Sequence, residues 1–278
     1  MNKHPYRGIS AAFATKHHKE MIVSPIFARL GINIVVANFD TDLLGTFSGE
    51  TPRVGTPKEV VLHKARMGIS HSGLSFALAS EGSIGLDPLI PFVISDTECM
   101  AWIDSSRNIE IVEFYKSLEI VAAHIKIARG DSLDNFLKNA QFPEHSLIAK
   151  SENSAGQIFK GINSFKSLDA AIKTLFKESE RVVIESDLRA HHSPSRRKNI
   201  ATLAKRLVAR LNTLCPSCTA PGWGEVGYLF GLPCRQCRSV ENNSVRGRRL
   251  GCSTCNYKEE ILNGKKSIEP AECGSCNP

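Results

Sequence analysis

Residues 9–37 read ISAAFATKHHKEMIVSPIFARLGINIVVA, and their pattern sets the architecture. The run 9–14 is short and apolar, as a buried first strand requires. From 18 to 30, Met21, Ile22, Ile26, Phe27 and Leu30 recur at helical spacing, and 32–37 returns to a second apolar strand. Further on, a polar loop spans 40–56, and Pro57 opens a helix to about His71 carrying Val60, Val61, Lys64, Ala65 and Met67. A strand at 74–79 is expected to end in the loop 80–85. Runs at 92–95, 99–104 and 109–115 read as three consecutive strands of a meander. A helix near 132–139, a strand near 146–149, a helix near 167–178 and a strand at 181–186 follow. Pro194 then opens a long helix through Leu211, striped with Ile200, Leu203, Ala204 and Leu207. Helices alternating with strands define an α/β class: a layered mixed-sheet domain with flanking helices.

The last quarter obeys a different logic. Cys215/Cys218, Cys234/Cys237, Cys252/Cys255 and Cys273/Cys276 form four Cys-x-x-Cys knuckles, using eight of nine cysteines and leaving Cys99 alone. The gaps between knuckles are about fifteen residues, the spacing at which two knuckles close on one tetrahedral zinc. Met1–Arg7 is polar and the rest of the chain is poor in cysteine, so structural zinc is expected rather than secreted disulfides. The chain thus reads as an α/β domain over 1–212 and a small double zinc-ribbon module over 213–278 with two structural Zn ions. Pairing first with second and third with fourth is the expected scheme, because each pair then closes a short loop; an interleaved, cross-braced pairing is the alternative. Four thiolates leave zinc no open position, so these sites hold structure and do no chemistry. Cys99 is expected to pack as a small apolar residue.

The chain has 278 residues, 42% of them hydrophobic, enough for one sizeable core and a small second module. No apolar run approaches the ~20 residues that span a bilayer, and the expectation is a soluble, cytoplasmic protein without a membrane partner. The formal charge is +7. Between 188 and 214 lie Arg189, Arg196, Arg197, Lys198, Lys205, Arg206 and Arg210 with no acid among them, a stretch suited to phosphates.

Four loops after strands gather groups for phosphate or metal, where α/β domains place their ligands. They are 14–20, with Thr15, His17 and Lys19 at a helix start; 40–53, ending at Arg53; 80–85, with Glu81; and 185–192, with Asp187, Arg189 and His191, followed by Arg196. Together they imply a polyanion and divalent-metal site, with carboxylates for Mg²⁺ and cations for phosphate oxygens.

Two resemblances follow from these motifs. Gly231-Leu232-Pro233-Cys234, Gly251-Cys252 and the terminal Cys273-Gly274-Ser275-Cys276-Asn277-Pro278, with Asp-Thr-Asp at 40–42 and Asp-Leu-Arg-Ala-His at 187–191, resemble an uncharacterised bacterial family that carries no established activity. The first part also resembles the inosine-triphosphate-pyrophosphatase-like fold, whose members hydrolyse noncanonical nucleoside triphosphates. Thr15, His17 and Lys19 stand where that fold has its Thr-x-Asn-x-x-Lys loop, with His for Asn and the lysine one residue early. Glu59 and Lys64-Ala65 match its helical Glu…Lys-Ala, Ser80-Glu81-Gly82 its acidic turn, and His191, His192 and Arg196 echo its base-reading Ser-His-Arg.

That resemblance implies Glu59, Glu81 and Asp187 as catalytic carboxylates. It implies Thr15, His17, Lys19, Arg53, Lys64, Arg189, His191 and Arg196 as the phosphate and nucleotide contacts, with Mg or Mn activating water. The leading expectation is a metal-dependent phosphohydrolase acting on a nucleotide. The alternative is a non-catalytic protein binding RNA or DNA through the basic helix 194–214 and the zinc ribbons.

Overall fold

The computed structural model describes residues 4–15, 18–37, 55–152 and 156–278. It is a mixed α/β protein with three sheets, flanking helices and two C-terminal four-cysteine clusters. The first sheet has the order β2-β1-β3-β4-β5, built from β1 (Ser10–Ala14), β2 (Asn33–Val36), β3 (Phe76–Leu86), β4 (Ile94–Asp104) and β5 (Ile109–Ser117). β1 pairs in parallel with β2 and β3, and β3, β4 and β5 follow as an antiparallel meander. The crossovers are α1 (Glu20–Phe27) and α2 (Pro57–Ser72), while α5 (Pro194–Asn212) returns later to the same sheet.

Alternation along the strands sorts the two faces. Phe13, Leu78, Met100 and Trp102 point to α1 and α5, meeting Val23, Phe27, Ile200, Leu203 and Leu207. Ala12, Ala14, Ala77, Ala79 and Ala101 point the other way and make an alanine floor for Val61, Leu62 and Ala65 of α2. Gly68 lets that helix sit low, since a Cβ there would already touch the Cβ atoms of Ala77, Ala12 and Ala14 at 3.6–3.7 Å. Thr56 and Glu59 close a capping box around the start of α2, and Gly73, at φ +70, ends it.

The second sheet, order β6-β9-β7-β8, is antiparallel: β6 (His124–Ile127), β7 (Leu147–Ser151), β8 (Ile158–Ile162) and β9 (Val182–Ser186). With α3 (Asp134–Asn139) and α4 (Phe165–Leu175) it closes its own core around Phe136, Leu147, Leu168, Leu175 and Ile184. The third sheet is the meander β10 (Gly224–Pro233), β11 (Val240–Gly251) and β12 (Lys258–Leu262). Arg210 at the end of α5 ties it to the first sheet, donating to Glu113 at 2.6 Å and to the Gly222 carbonyl at 3.2 Å.

Two sequence expectations change. Residues 80–85 are not a loop: they continue β3, paired residue for residue with 95–100 of β4. From Ile94 onward the runs 92–95 and 99–104 are one strand, because the polar residues between them, Asp96 and Glu98, are buried on its inner face. Among the described residues no helix is long and apolar enough to cross a membrane.

Candidate functional site

The four knuckles form two interleaved sites. Cys215, Cys218, Cys252 and Cys255 make one, and Cys234, Cys237, Cys273 and Cys276 the other, all ligand atoms of each lying within 4.8 Å of one another. The expected sequential pairing is therefore corrected. Its fault lies in the hairpin: β10 and β11 pair from Gly224↔Gly251 to Pro233↔Val240, a ribbon of ~30 Å at ~3.3 Å per residue. Cys218 and Cys234 stand at opposite ends of it and cannot share an ion. At one end the turn after α5 meets the end of β11, and at the other a parallel bridge, Cys234↔Ile268, recruits the last knuckle.

The donor sets fit zinc. Sγ–Sγ separations are 3.8 Å (Cys215–Cys255), 3.5 Å (Cys218–Cys252), 3.8 Å (Cys234–Cys276) and 3.6 Å (Cys237–Cys273). A tetrahedron with ~2.3 Å Zn–S bonds has an edge of ~3.8 Å. Thr219 and Arg238, each following the second cysteine of its knuckle, adopt φ +60 and +67, so their N–H groups turn back to the Cys215 and Cys234 carbonyls. Thr254 N and Cys255 N donate to Cys252 Sγ at 3.2 and 3.3 Å, orienting that sulfur within its cluster.

A second concentration of chemistry lies where β1 ends and β3 and β4 run on. Lys19, just before α1, is buried and donates to Ser80 Oγ at 3.1 Å. Lys64 of α2 donates to Glu81 Oε2 at 2.5 Å, both side chains buried. From the other face Arg196, in the first turn of α5, donates to Glu98 Oε1 at 2.6 Å and to the Leu188 carbonyl at 2.8 Å. Gly82 makes room for this pair, since a Cβ there would stand 2.4 Å from Glu98 Oε1 and 2.5 Å from Arg196 Nη2. Glu98 Oε2 and Asp96 Oδ1 are buried without a hydrogen-bond partner, while Asn199 Nδ2 donates to Asp96 Oδ2 at 2.8 Å.

Burial pushes Lys19 below the usual lysine range, against the pull of Glu98 and Glu81. Burial, and then the charge of Glu98, pushes Asp96 up to about 6. Cys99, buried as expected, is driven by burial up to about 12 and is an inert thiol.

The loop after β9 adds a neighbouring group. Asp187 accepts from Arg189 Nε at 2.8 Å and from Gly161 N at 3.0 Å. Burial works against ionisation there, yet the Arg189 guanidinium keeps its carboxyl below the usual range. His192 Nδ1 lies 3.2 Å from Ser146 Oγ, and burial lowers both His191 and His192. The His18 ring stands edge-on to His191 at 5.4 Å, linking the loop after β1 to the loop after β9.

Of the residues singled out from sequence, Lys19, Lys64, Glu81 and Arg196 converge, with Asp187, Arg189 and His191 beside them. Glu59 is exposed, and its Oε2 is spent on the Thr56 backbone and hydroxyl groups, so its visible task is capping. Thr15 directly follows β1; His17 and Arg53 lie outside the described residues. Among the described residues the two cysteine groups alone have metal-ligand geometry. Sequence reading missed Glu98 and Asp96; the alternation Asp96, Glu98, Met100, Trp102 along one strand was the signal for both.

The basic stretch 188–214 is partly neutralised in space: Arg196 by Glu98, Lys198 by Glu119 and Arg210 by Glu113. Its compensating acids come from β4, β5 and the turn beyond, which a linear reading cannot see.

The family described as a domain of unknown function (DUF6671) matches residues 64–278. The chain belongs to this family. Its match contains both cysteine sites together with Lys64, Glu81, Glu98 and Arg196, while Lys19 precedes it. No curated protein and no solved structure matches the chain.

Proposed function

We propose that the chain is a phosphohydrolase acting on a nucleotide, with its zinc module serving structure. One observation supports this above others. Three cations, Lys19, Lys64 and Arg196, are buried against two carboxylates, Glu81 and Glu98, at the C-terminal edge of the parallel strands. Removing five charges from water costs several kcal/mol for each ion, and a fold retains such a cluster chiefly where its potential is used. The buried lysines and arginine at this edge, with Arg189 of the neighbouring loop, supply donors suited to a phosphate chain.

In this reading Lys19 and Arg189 bind phosphate oxygens, and Lys64 and Arg196 hold Glu81 and Glu98 in place. The unpartnered Oε2 of Glu98 accepts the proton of the attacking water as the new P–O bond forms and the leaving phosphate departs. Mg²⁺ or Mn²⁺ bound to the substrate's own phosphates supplies further charge neutralisation. The nucleic-acid alternative through the helix 194–214 loses Arg196, Lys198 and Arg210 to ion pairs.

The test is a panel of nucleoside mono-, di- and triphosphates with Mg²⁺ or Mn²⁺, reading released phosphate and pyrophosphate. Glu98→Gln should lower kcat by ~100-fold or more, and Glu81→Gln should weaken it through Lys64. No turnover and no binding by any member of the panel ends this reading.

A further inference from the structure

A strip of aromatic rings and arginines crosses the seam between α5 and the zinc module. The Arg206 guanidinium lies 4.6 Å over the Tyr115 ring of β5, and its charge also reaches Tyr228 of β10. Tyr228 pairs across the sheet with Arg248, which pairs in turn with Ile261 of β12. Two residues along β10, Phe230 shares the face with Tyr228, their ring centroids 6.3 Å apart. Tyr228 is 55% exposed and Phe230 51%, although apolar cores lie a few residues away. Both rings therefore stand in solvent on a rigid strand, braced below by Leu229 and Leu232.

We propose that this strip binds single-stranded nucleic acid, with bases stacking on Tyr228 and Phe230 and phosphates running along Arg206 and Arg248. Charge complementarity selects the occupant. Arg206, Arg246 and Arg248 are exposed and make no ion pair with the described residues, unlike the neighbouring Arg210 and Arg249, which are held by Glu113 and Glu260. Rings on a strand beside free guanidiniums are what sequence-tolerant stacking requires. The charges of Glu225 and Glu113 also reach Tyr228, and Glu113 is held by Arg210 at 2.6 Å. Unlike a duplex, a single strand can splay its bases onto rings that lie on a flat sheet.

The experiment uses the full chain with zinc bound and fluorescein-labelled twelve-nucleotide single-stranded RNA and DNA, read by anisotropy over a salt series. Tyr228→Ala and Phe230→Ala should each weaken binding about tenfold, Tyr228→Phe should bind as the parent does, and Arg248→Gln should flatten the salt slope by about 0.7. Zinc content and far-UV dichroism establish that each variant is folded, and Phe230→Leu, which keeps the apolar contact but removes the ring, should behave as Phe230→Ala. Absence of binding, binding indifferent to both rings, or equal binding of a duplex would overturn the proposal. So would a concentration-dependent dimer abolished by Phe230→Ala, which would make the strip a contact between copies.

Discussion

Arg196 Nε lies 2.6 Å from Glu98 Oε1, between side chains 2% and 0% exposed, and the other oxygen of Glu98 is left without a hydrogen-bond partner. This pair joins the first turn of α5 to the middle of β4. Cutting it from one side strands a charge in the core: Glu98→Ala should cost roughly 3–5 kcal/mol by urea denaturation. Replacing both partners, Glu98→Leu with Arg196→Met, should restore most of that loss, because two apolar chains leave no orphan ion. A double variant as unstable as the single would show that the pair's surroundings, and not its charges, carry the effect.

Gly82→Ala tests the same pair sterically. Gly82 has no positive φ to protect, so alanine is tolerable to the backbone, yet its Cβ would fall 2.4 Å from Glu98 Oε1. The expected result is a destabilisation of roughly 1–3 kcal/mol. In Gly82→Ala built on the double apolar background, where side chains can shift, the cost should shrink. Equal costs in both backgrounds would refute a clash with the pair.

Asp96 gives a pH dependence whose sign is fixed. Its folded pKa is raised from 3.8 to about 6 by burial and by Glu98, with Asn199, Lys19 and Arg196 opposing. The folded state then holds the proton more tightly than the unfolded one, so this contribution is full below pH ~4 and is lost as pH rises through ~6. At ~1.4 kcal/mol per unit the loss reaches about 3 kcal/mol. Asp96→Asn should remove that decline and be more stable than the parent at pH 8, measured by denaturation at pH 4, 6 and 8. A parallel fall in both proteins would assign the pH dependence to other groups.

The first strand, both crossover helices, the final strand of the α/β region and α5 could be read within a residue or two, since each has an uninterrupted period and a clear start such as Pro57 or Pro194. The joining of 92–95 to 99–104 could not, because Asp96 and Glu98 interrupt the hydrophobic signal with polar groups that only tertiary contacts with Arg196 and Asn199 explain. The same holds for the site: cations in loops stood out, but their acids on β4 looked like turn residues. Sequence also named β9 without showing that it belongs to a separate sheet, an arrangement that brings His191 to His18. The eight cysteines that gather into two four-thiol clusters were plain from spacing alone. Which four share an ion depends on the length of the β10–β11 ribbon, and the loop-entropy argument for sequential pairing ignored that rigidity.

The pairing can be decided by counting metal. The parent should carry two zinc ions per chain, and a strong chelator should remove them with loss of the β10–β12 signal in far-UV dichroism. Cys215→Ser with Cys252→Ser damages one interleaved site twice and should leave one zinc per chain after dialysis against a weak chelator. Cys215→Ser with Cys234→Ser damages both sites and should leave none. Sequential pairing predicts the reverse, one zinc retained in the second variant and none in the first. The two schemes therefore cannot both survive the same pair of measurements. The retained zinc in the first variant should hold Cys234, Cys237, Cys273 and Cys276, and keep Ile268 and Leu232 protected from hydrogen exchange, because those side chains pack directly on that site.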